Sequence, residues 1–257
     1  MVTSDAAHDA RIQEQFSRQA QPFAAAPIHS SAEGFELLRR SAELGASDEL
    51  LDVACGPGLV ACEFAPHVRT ARGLDVVPAM LEQARARATR LGLTNVSFDS
   101  GDSTQLPYAD AAFSRVLTRY SFHHLLEPAL TLREMTRVCR PGGTITVCDV
   151  APAREKRDAY NRMEKLRDPS HAAALCPEQL EELFSDQGLR VHHRARYRLE
   201  VALEDSLAAS FPEPGAAEKL REMFEKDVER DELGVGAHRR GQLIWFTFPI
   251  LILSARV

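Results

Sequence analysis

This sequence has no excess of basic residues over acidic ones. Its 31 lysine and arginine residues are outnumbered by 37 aspartate and glutamate residues, which gives a net charge of −6 at pH 7. Non-specific binding to nucleic acid depends on cationic side chains that neutralise phosphates. The charge therefore predicts a protein without a nucleic-acid partner.

Long apolar segments are also missing. The longest, Leu243 to Leu253, contains Thr247 and Pro249 and is too short to cross a bilayer. The N-terminal residues are polar and charged, without the apolar core that a secretory signal requires. We therefore expect a cytoplasmic protein with no membrane span, whose 257 residues form one large domain or one domain with a sizeable cap.

Metal-binding patterns are absent as well. The five cysteines are scattered and none stands in a Cys-x-x-Cys pair, so they are expected to be reduced thiols. Magnesium sites need clustered carboxylates, but Asp149 has no second acid beside it. His192 and His193 are adjacent in a predicted strand and would point to opposite faces of the sheet. The sequence thus predicts no bound metal.

The stretch from Glu49 to Ala65 carries the strongest positive signal. Leu50 to Ala54 is a short apolar run with the length of one buried strand. Gly56-Pro57-Gly58 predicts a tight turn, and Leu59 to Ala65 is predicted as a helix that starts beside the proline. Glycine permits positive φ and lets a ligand approach bare backbone, while the helix start offers free N–H groups. The pattern predicts a ligand site at the carboxyl end of a strand.

Acidic residues near this turn narrow the class of ligand. The glycines alone do not decide, because Ala61 at the third glycine position of a dinucleotide fingerprint would be tolerated. Asp52, inside the strand, suits a ligand with a cationic ammonium group better than one with a pyrophosphate. Asp75 ends the next predicted strand, Thr70–Asp75, 17 residues after Gly58. Its carboxylate can accept charge-assisted hydrogen bonds from both hydroxyls of a ribose, which favours a nucleoside ligand.

Alternating strand and helix patterns predict the fold class. Four βα units followed by a fifth strand indicate an α/β protein with a doubly wound, Rossmann-like parallel sheet. The later predicted strands are Asn95–Asp99, Phe113–Thr118, Thr144–Asp149, Leu189–Leu199 and Leu243–Ser254. The predicted helices are Asp5–Arg18, Ser31–Leu44 (ending at Gly45), Pro78–Leu91, Glu127–Arg140, Pro177–Gln187 and two short helices within Leu203–Val228, with a loop over Gln19–His29.

Two segments carry a family resemblance. Asp52-Val53-Ala54-Cys55-Gly56-Pro57-Gly58 resembles motif I of class I S-adenosylmethionine (SAM)-dependent methyltransferases. Gly101-Asp102-Ser103-Thr104-Gln105-Leu106-Pro107-Tyr108 resembles their Gly-Asp-Ala-x-x-Leu-Pro-Phe segment. Arg119–Leu125 and Arg167–His171 are similar to a narrower group, the small bacterial methyltransferases related to the ubiquinone/menaquinone C-methyltransferases. The resemblance implies a seven-stranded sheet of order 3-2-1-4-5-7-6, with the last strand antiparallel.

The resemblance also implies a domain plan. Residues 1–45 would form an N-terminal helical lid, or an arm that packs on the sheet edge. Residues 46–257 would form the methyltransferase domain, with cap insertions at 152–175 and 203–240 that select the acceptor.

SAM is the cofactor that the resemblance implies. In the family, the aspartate at the position of Asp102 accepts a hydrogen bond from the adenine amino group, and the next backbone N–H, here of Ser103, faces the ring. Arg119 and Tyr120 are candidates for holding the donor carboxylate or the acceptor. The expected cofactor-binding residues are Asp52, Gly56, Gly58, Asp75, Asp102, Ser103 and Arg119.

Transfer of a methyl group to a small-molecule acceptor by in-line displacement depends mainly on positioning. A histidine is the side chain best suited to accept a proton near neutral pH if the acceptor must lose one. His123 and His124 follow the fourth predicted strand, His171 lies in the insertion loop and His29 lies in the lid loop. Oxygen, nitrogen and carbon acceptors all remain compatible with the sequence.

Two other functions remain compatible with part of the pattern. A SAM-binding protein without turnover would keep every donor-binding residue and lack an acceptor pocket. A nicotinamide-dependent oxidoreductase would share the ribose-binding Asp75, but Asp52 and Asp102 would have no role in it.

Overall fold

The computed structural model describes residues 4–25 and 31–257. Its helices are α1 (Ser4–Ala25), α2 (Ala32–Ser41), α3 (Leu59–Phe64), α4 (Pro78–Arg90), α5 (Pro128–Val138), α6 (Arg157–Arg167), α7 (Pro177–Asp186), α8 (Leu203–Ser210) and α9 (Ala216–Asp227). Its strands are β1 (Glu49–Val53), β2 (Thr70–Asp75), β3 (Val96–Ser100), β4 (Phe113–Arg119), β5 (Cys139–Val150), β6 (Arg190–Ala202), β7 (His238–Arg240) and β8 (Leu243–Arg256).

The strands form a single mixed sheet. Their order is β3-β2-β1-β4-β5-β8-β6, and β7 pairs with β8 beside this row. β1 to β5 are mutually parallel where they pair, whereas β8 runs antiparallel between β5 and β6. The predicted order and the antiparallel last strand are therefore confirmed. The predicted number of strands is wrong by one, because β7 has three polar residues and no apolar pattern that a sequence analysis would detect.

Both faces of the sheet are covered by apolar side chains. Adjacent residues of a strand point to opposite faces, and Leu50 and Leu51 of β1 belong to different apolar clusters. The same division holds for Leu117 and Val116 of β4. Burial on both faces explains why these strands are short continuous apolar runs instead of alternating ones.

Two predicted boundaries near the N-terminus are wrong. α1 continues through Pro22 to Ala25, where a loop was expected from Gln19 onward. Ala20 is buried against Met80 of α4, so tertiary packing stabilises a turn that local propensity disfavours. α2 ends at Ser41, before the expected stop at Gly45, whose N–H instead donates to Asp48.

The topology determines where a ligand can bind. Parallel strands β1, β2, β4 and β5 all end at one edge of the sheet. The chain crosses from the β1-β2-β3 side to the β4-β5 side between β1 and β4. Ligands of open α/β sheets bind at such a switch point, beyond the carboxyl ends of the strands.

Candidate functional site

A cavity of about 400 Å³ lies beyond the carboxyl ends of β1, β2 and β4, and we refer to it as the strand-end cavity. The predicted cofactor-binding residues that line it are Asp52, Gly56, Asp75, Asp102, Ser103 and Arg119. α1 closes it from above with His8, Ile12 and Phe16. The fold thus brings together six residues that are separated by up to 67 positions in the chain.

The two glycines of the turn have different structural roles. Gly56 has a φ of 53°, and among the described residues a Cβ added to it would have only the Met80 sulfur within reach, at 4.0 Å. Its backbone is therefore open to the cavity. Gly58 does not line the cavity, because a Cβ there would lie 2.8 Å from Ala84 Cβ and 2.9 Å from the Phe98 ring. The absence of a side chain at Gly58 therefore allows the turn to pack against α4 and β3.

Asp75 is held in place by the backbone. Its Oδ2 accepts from Gly56 N–H at 2.8 Å and its Oδ1 accepts from Val77 N–H at 2.9 Å. Burial raises the pKa of this carboxyl, while the hydrogen bonds from these N–H groups oppose the shift. Each carboxylate oxygen has a further lone pair, so the group can still accept from ligand hydroxyls.

Asp52 is a buried acid beneath the turn, with 1% of its surface exposed. Its Oδ2 accepts from Ala61 N–H at 3.1 Å. Burial raises its pKa to about 7, although the Ala61 hydrogen bond and the positive charge of Arg119 lower it. The Arg119 guanidinium lies 4.7 Å from the centre of the Phe35 ring and 4.5 Å from that of Tyr120. A cationic group placed beside Asp52 would favour its ionised form.

Replacement of Asp52 with asparagine is expected to stabilise the protein above pH 7. The folded state holds a proton on Asp52 up to about pH 7, whereas the unfolded chain releases it near pH 4. The free energy of unfolding of the wild type should therefore fall relative to the variant between about pH 4 and 7, by up to about 1.4 kcal/mol per pH unit, and then level off. Urea titrations without added ligand measure this difference. Exposed Asp186→Asn is the control, and a constant Asp52→Asn difference across this range would contradict the prediction.

Asp102 and Ser103 form the opposite side of the cavity. Asp102 Oδ1 accepts from Thr104 N–H at 2.7 Å, which is the local turn that aspartate often makes. The Ser103 hydroxyl lies 3.0 Å from that of Thr131 on α5. The second oxygen of Asp102 has no partner in the described residues, and Asp102 is exposed along the cavity wall.

The three candidate histidines occupy different environments. His123 donates from Nδ1 to Asp149 Oδ1 at 2.5 Å, and its backbone N–H donates to Oδ2 at 3.2 Å. Burial alone would lower the pKa of His123, but the charge and hydrogen bond of Asp149 raise it above its ordinary value.

His124 and His171 are weak bases by comparison. Burial lowers the pKa of His124 to about 3, with a contribution from His123, and its Nδ1 donates to the Ser170 carbonyl at 3.2 Å. Burial lowers the pKa of His171 to about 2, and its Nε2 donates to Asn161 at 2.7 Å. His124 lines the strand-end cavity, whereas His171 lines neither of the two cavities described here. His29 lies outside the described residues.

A second cavity of about 540 Å³ adjoins the first, and we refer to it as the hairpin cavity. Phe16, Phe23, Tyr120 and His124 line both cavities, so the two meet at these side chains. His123 lines only the hairpin cavity. Its remaining walls come from α6, α8 and the paired strands β6 and β8.

Side chains of α1 connect the roof of both cavities to the rest of the protein. Gln15 donates to the Ser210 carbonyl at the end of α8. Gln19 donates to the same carbonyl at 3.1 Å and to Asp168 at 3.4 Å. These contacts hold α1 across the carboxyl edge of the sheet.

Several residues of the site are not predicted from the sequence. Asp149 belongs to no metal-binding pattern, but its position at the end of the fifth predicted strand places it at the edge where His123 lies. Trp245 and Phe248 line the hairpin cavity from a strand that was expected only to complete the sheet. The separation of Phe16 and Phe23 by seven residues is a helical spacing, but Phe23 lay in the predicted loop.

Comparisons of sequence and of structure both identify methyltransferases as similar to this chain. A family model described as a methyltransferase domain matches residues 44–226. The uncharacterized methyltransferase YcgJ of Bacillus subtilis is 28% identical over 244 residues, which cover 93% of this chain and 96% of YcgJ. The crystal structure of YcgJ aligns with a TM-score of 0.81 and 22% identity, covering 88% of this chain and 98% of YcgJ. This likeness confirms the predicted fold class.

A further relative matches only part of its own length. The ubiquinone/menaquinone biosynthesis C-methyltransferase UbiE of Bdellovibrio bacteriovorus is 38% identical over 106 residues, which cover 40% of this chain and 45% of UbiE.

None of the helices in residues 4–25 and 31–257 has both the length and the apolar character that crossing a membrane requires. In the same ranges, no cluster of His, Cys, Asp or Glu side chains is arranged to hold a metal ion.

Proposed function

This chain belongs to the methyltransferase-domain family, and from that premise we propose that it transfers a methyl group from SAM to a small-molecule acceptor. The observation that carries the proposal is the strand-end cavity, where the carboxylates of Asp52, Asp75 and Asp102, the Arg119 guanidinium and open glycine backbone surround one volume. Both the family and the fold are those of an enzyme that performs methyl transfer.

The side chains around the strand-end cavity match the chemical groups of SAM. Asp75 would hold the two ribose hydroxyls, because its carboxylate is fixed by backbone N–H groups and retains free lone pairs. Asp102 and the backbone of Ser103 would hold the adenine. Arg119 would pair with the SAM carboxylate, and Asp52 would offset the cationic ammonium. The cavity volume of about 400 Å³ lies within the range of ligand pockets.

Most of the expected rate enhancement comes from positioning. SAM supplies a methyl group that is already activated by the positive charge of its sulfonium. The protein must hold the acceptor in line behind that methyl group and exclude water. Fixed orientation of this kind can account for about 7–11 kcal/mol of barrier reduction. α1 covers both cavities, and we assign residues 1–45 the function of a lid over the methyltransferase domain of residues 46–257.

We assign the role of base to His123 when the acceptor must lose a proton. Asp149 fixes its ring through Nδ1 and favours the protonated form that the reaction would produce. The ring nitrogen that does not contact Asp149 is then the proton acceptor. His124 and His171 are poorer candidates, because burial lowers their pKa values to about 3 and 2.

The two other functions are less well supported. Membership of a methyltransferase family leaves the nicotinamide-dependent alternative without support, and Asp52 and Asp102 would have no role in hydride transfer. A SAM-binding protein without turnover would not need a second cavity that meets the donor cavity beside a histidine and aspartate pair.

Thermal unfolding with SAM, S-adenosylhomocysteine and NADH tests the proposal. A ligand at a thousand times its Kd stabilises the folded state by about 4 kcal/mol, which is roughly 8–16 °C for a protein of this size. SAM and S-adenosylhomocysteine should both give such a shift, and NADH should give none. Stabilisation by NADH alone would overturn the proposal.

A further inference from the structure

We propose that the hairpin cavity is the acceptor site and that it takes an uncharged, flat, largely apolar molecule whose acidic hydroxyl, phenolic or enolic, is methylated on oxygen. This inference deepens the proposed function and rests on it. Three observations support it: the position of the cavity, the chemistry of its walls and the arrangement of its charges.

The position of the hairpin cavity suits an acceptor. It meets the strand-end cavity at Phe16, Phe23, Tyr120 and His124. A molecule in it can therefore present one end to the donor, while its body stays outside the donor site. His123 lines the hairpin cavity and not the strand-end cavity, so the proposed base is on the side where the acceptor would bind.

The walls of the hairpin cavity contain apolar and aromatic side chains that suit an apolar ligand. β8 pairs with β5 only as far as Val150 and Ile250, whereas its pairing with β6 continues to Ala202 and Trp245. This two-stranded extension projects beyond the carboxyl edge of the sheet. It contributes Leu199, Val201, Trp245 and Phe248 to the cavity, and α1 contributes Phe16 and Phe23. Aromatic side chains from both the extension and α1 favour a flat ligand.

The charges of the cavity disfavour an anionic acceptor. Its lining contains four carboxylates and two guanidinium groups. Arg167 is engaged by Glu164 through two hydrogen bonds, at 2.8 and 2.7 Å. Arg198 is exposed and donates to Thr247 at 2.9 Å. Among the described residues that line the cavity, no buried lysine or arginine is free of a carboxylate to receive a phosphate or carboxylate.

A cationic acceptor is disfavoured at the reacting end. The buried acids near the histidines already have partners: Glu164 accepts from Arg167, Asp149 accepts from His123, and Asp168 accepts from the backbone N–H and the hydroxyl of Ser170, at 2.9 and 2.6 Å. Asp205 is exposed at the rim. An ammonium group beside His123 would lack a counter-ion and would be repelled whenever the imidazole is protonated. A neutral hydroxyl meets neither difficulty.

The reaction at this site is balanced without a further reactant. The acceptor oxygen gives its proton to His123 and forms a bond to the methyl carbon as the sulfur–methyl bond breaks. The electron pair of that bond returns to sulfur, so the sulfonium becomes a neutral thioether. The products are a methyl ether and an imidazolium paired with Asp149.

Trp245 allows binding in this cavity to be measured directly. It is the single tryptophan of the chain, and it lines the hairpin cavity but not the strand-end cavity. The probe is bromohydroxybiphenyl, an uncharged biphenyl with bromine and hydroxyl at opposite ends, whose bromine quenches tryptophan fluorescence on contact. The matched probes carry a carboxylate or an aminomethyl group in place of the hydroxyl. All three are titrated against protein saturated with S-adenosylhomocysteine.

We expect bromohydroxybiphenyl to quench Trp245 and, with labelled SAM, to be converted to its methyl ether. The two charged probes should bind at least about tenfold more weakly, which corresponds to one hydrogen bond or charge contact. Equal or tighter binding of either charged probe would overturn the assignment. Absence of quenching, or methylation on a ring carbon, would overturn it as well.

A pair of variants on α8 provides the matched control. Ala209→Phe fills the cavity that Ala209 lines, whereas Ala208→Phe places the same ring on the exposed side of the helix. Ala209→Phe should lose quenching and turnover but keep stabilisation by S-adenosylhomocysteine, which also shows that it is folded. If the phenylalanine ring prevents folding, Ala209→Leu replaces Ala209→Phe in this experiment. Retained turnover in a folded Ala209→Phe would refute the acceptor site, whereas failure of S-adenosylhomocysteine to stabilise the wild type would refute the proposed function.

Discussion

Replacement of Asp75 with asparagine is expected to weaken binding of S-adenosylhomocysteine by about 10²–10⁴-fold. Two hydrogen bonds from ribose hydroxyls to a carboxylate contribute about 1.5–3 kcal/mol each, and every 1.4 kcal/mol is a factor of ten in affinity. Asparagine keeps the shape of the side chain, but it replaces one acceptor oxygen with an N–H donor and removes the negative charge that strengthens the hydrogen bond to the other. Isothermal titration calorimetry measures the change.

The choice of asparagine matters because Asp75 also has a structural role. Its two oxygens accept from Gly56 and Val77 N–H groups at 2.8 and 2.9 Å; asparagine keeps one acceptor for these donors, whereas alanine would leave both without this partner. Asp75→Ala should therefore lose binding and also unfold at lower urea concentration. Comparing the two variants separates loss of a ligand contact from loss of the turn.

Asp99→Asn is the control for the Asp75 variants. Asp99 belongs to the neighbouring strand β3 and does not line the strand-end cavity. Its amide variant should bind S-adenosylhomocysteine like the wild type. If folded Asp75→Asn also binds like the wild type, Asp75 does not hold the ribose.

Replacement of His123 with glutamine is expected to lower the rate of methyl transfer to bromohydroxybiphenyl by about 10²–10⁴-fold, the usual contribution of a general base. Affinity for S-adenosylhomocysteine should be unchanged, because His123 does not line the strand-end cavity. Transfer of a labelled methyl group from SAM measures the rate. His193→Gln, on the exposed part of β6, is the matched control. A rate equal to that of the wild type in folded His123→Gln would remove His123 from the mechanism.

The pH dependence distinguishes a base from a merely structural histidine. A base must be unprotonated, so the rate should rise with pH until His123 has lost its proton and should then level off. Asp149 raises the pKa of His123, so Asp149→Asn should move this rise to lower pH while it reduces the maximum rate. Nuclear magnetic resonance titration of the His123 ring measures the same pKa without substrate. An unchanged pKa in Asp149→Asn would show that the carboxylate does not act through His123.

Local patterns explain why much of the architecture was predictable. The run from Leu50 to Val53 and the glycine turn after it specify a strand and its end without reference to distant residues. Right-handed crossovers then place consecutive parallel strands in few possible orders. The carboxyl ends of the strands share one edge, so the sequence pattern predicts that Asp52, Asp75 and Asp102 lie close together. The sequence by itself determined the fold class and this edge, whereas the sheet order was implied by the family resemblance.

The tertiary structure alone decided which histidine is the strongest base and where the second cavity lies. His123, His124 and His171 are chemically identical in the sequence. Their different pKa values arise from burial and from Asp149, which lies 26 residues from His123. The hairpin cavity depends on α1, α6, α8 and an extension of β6 and β8, elements whose contact no local pattern encodes. Electrostatics and cavity shape are properties of side chains brought together from distant parts of the chain, so they emerge only once the packing is known.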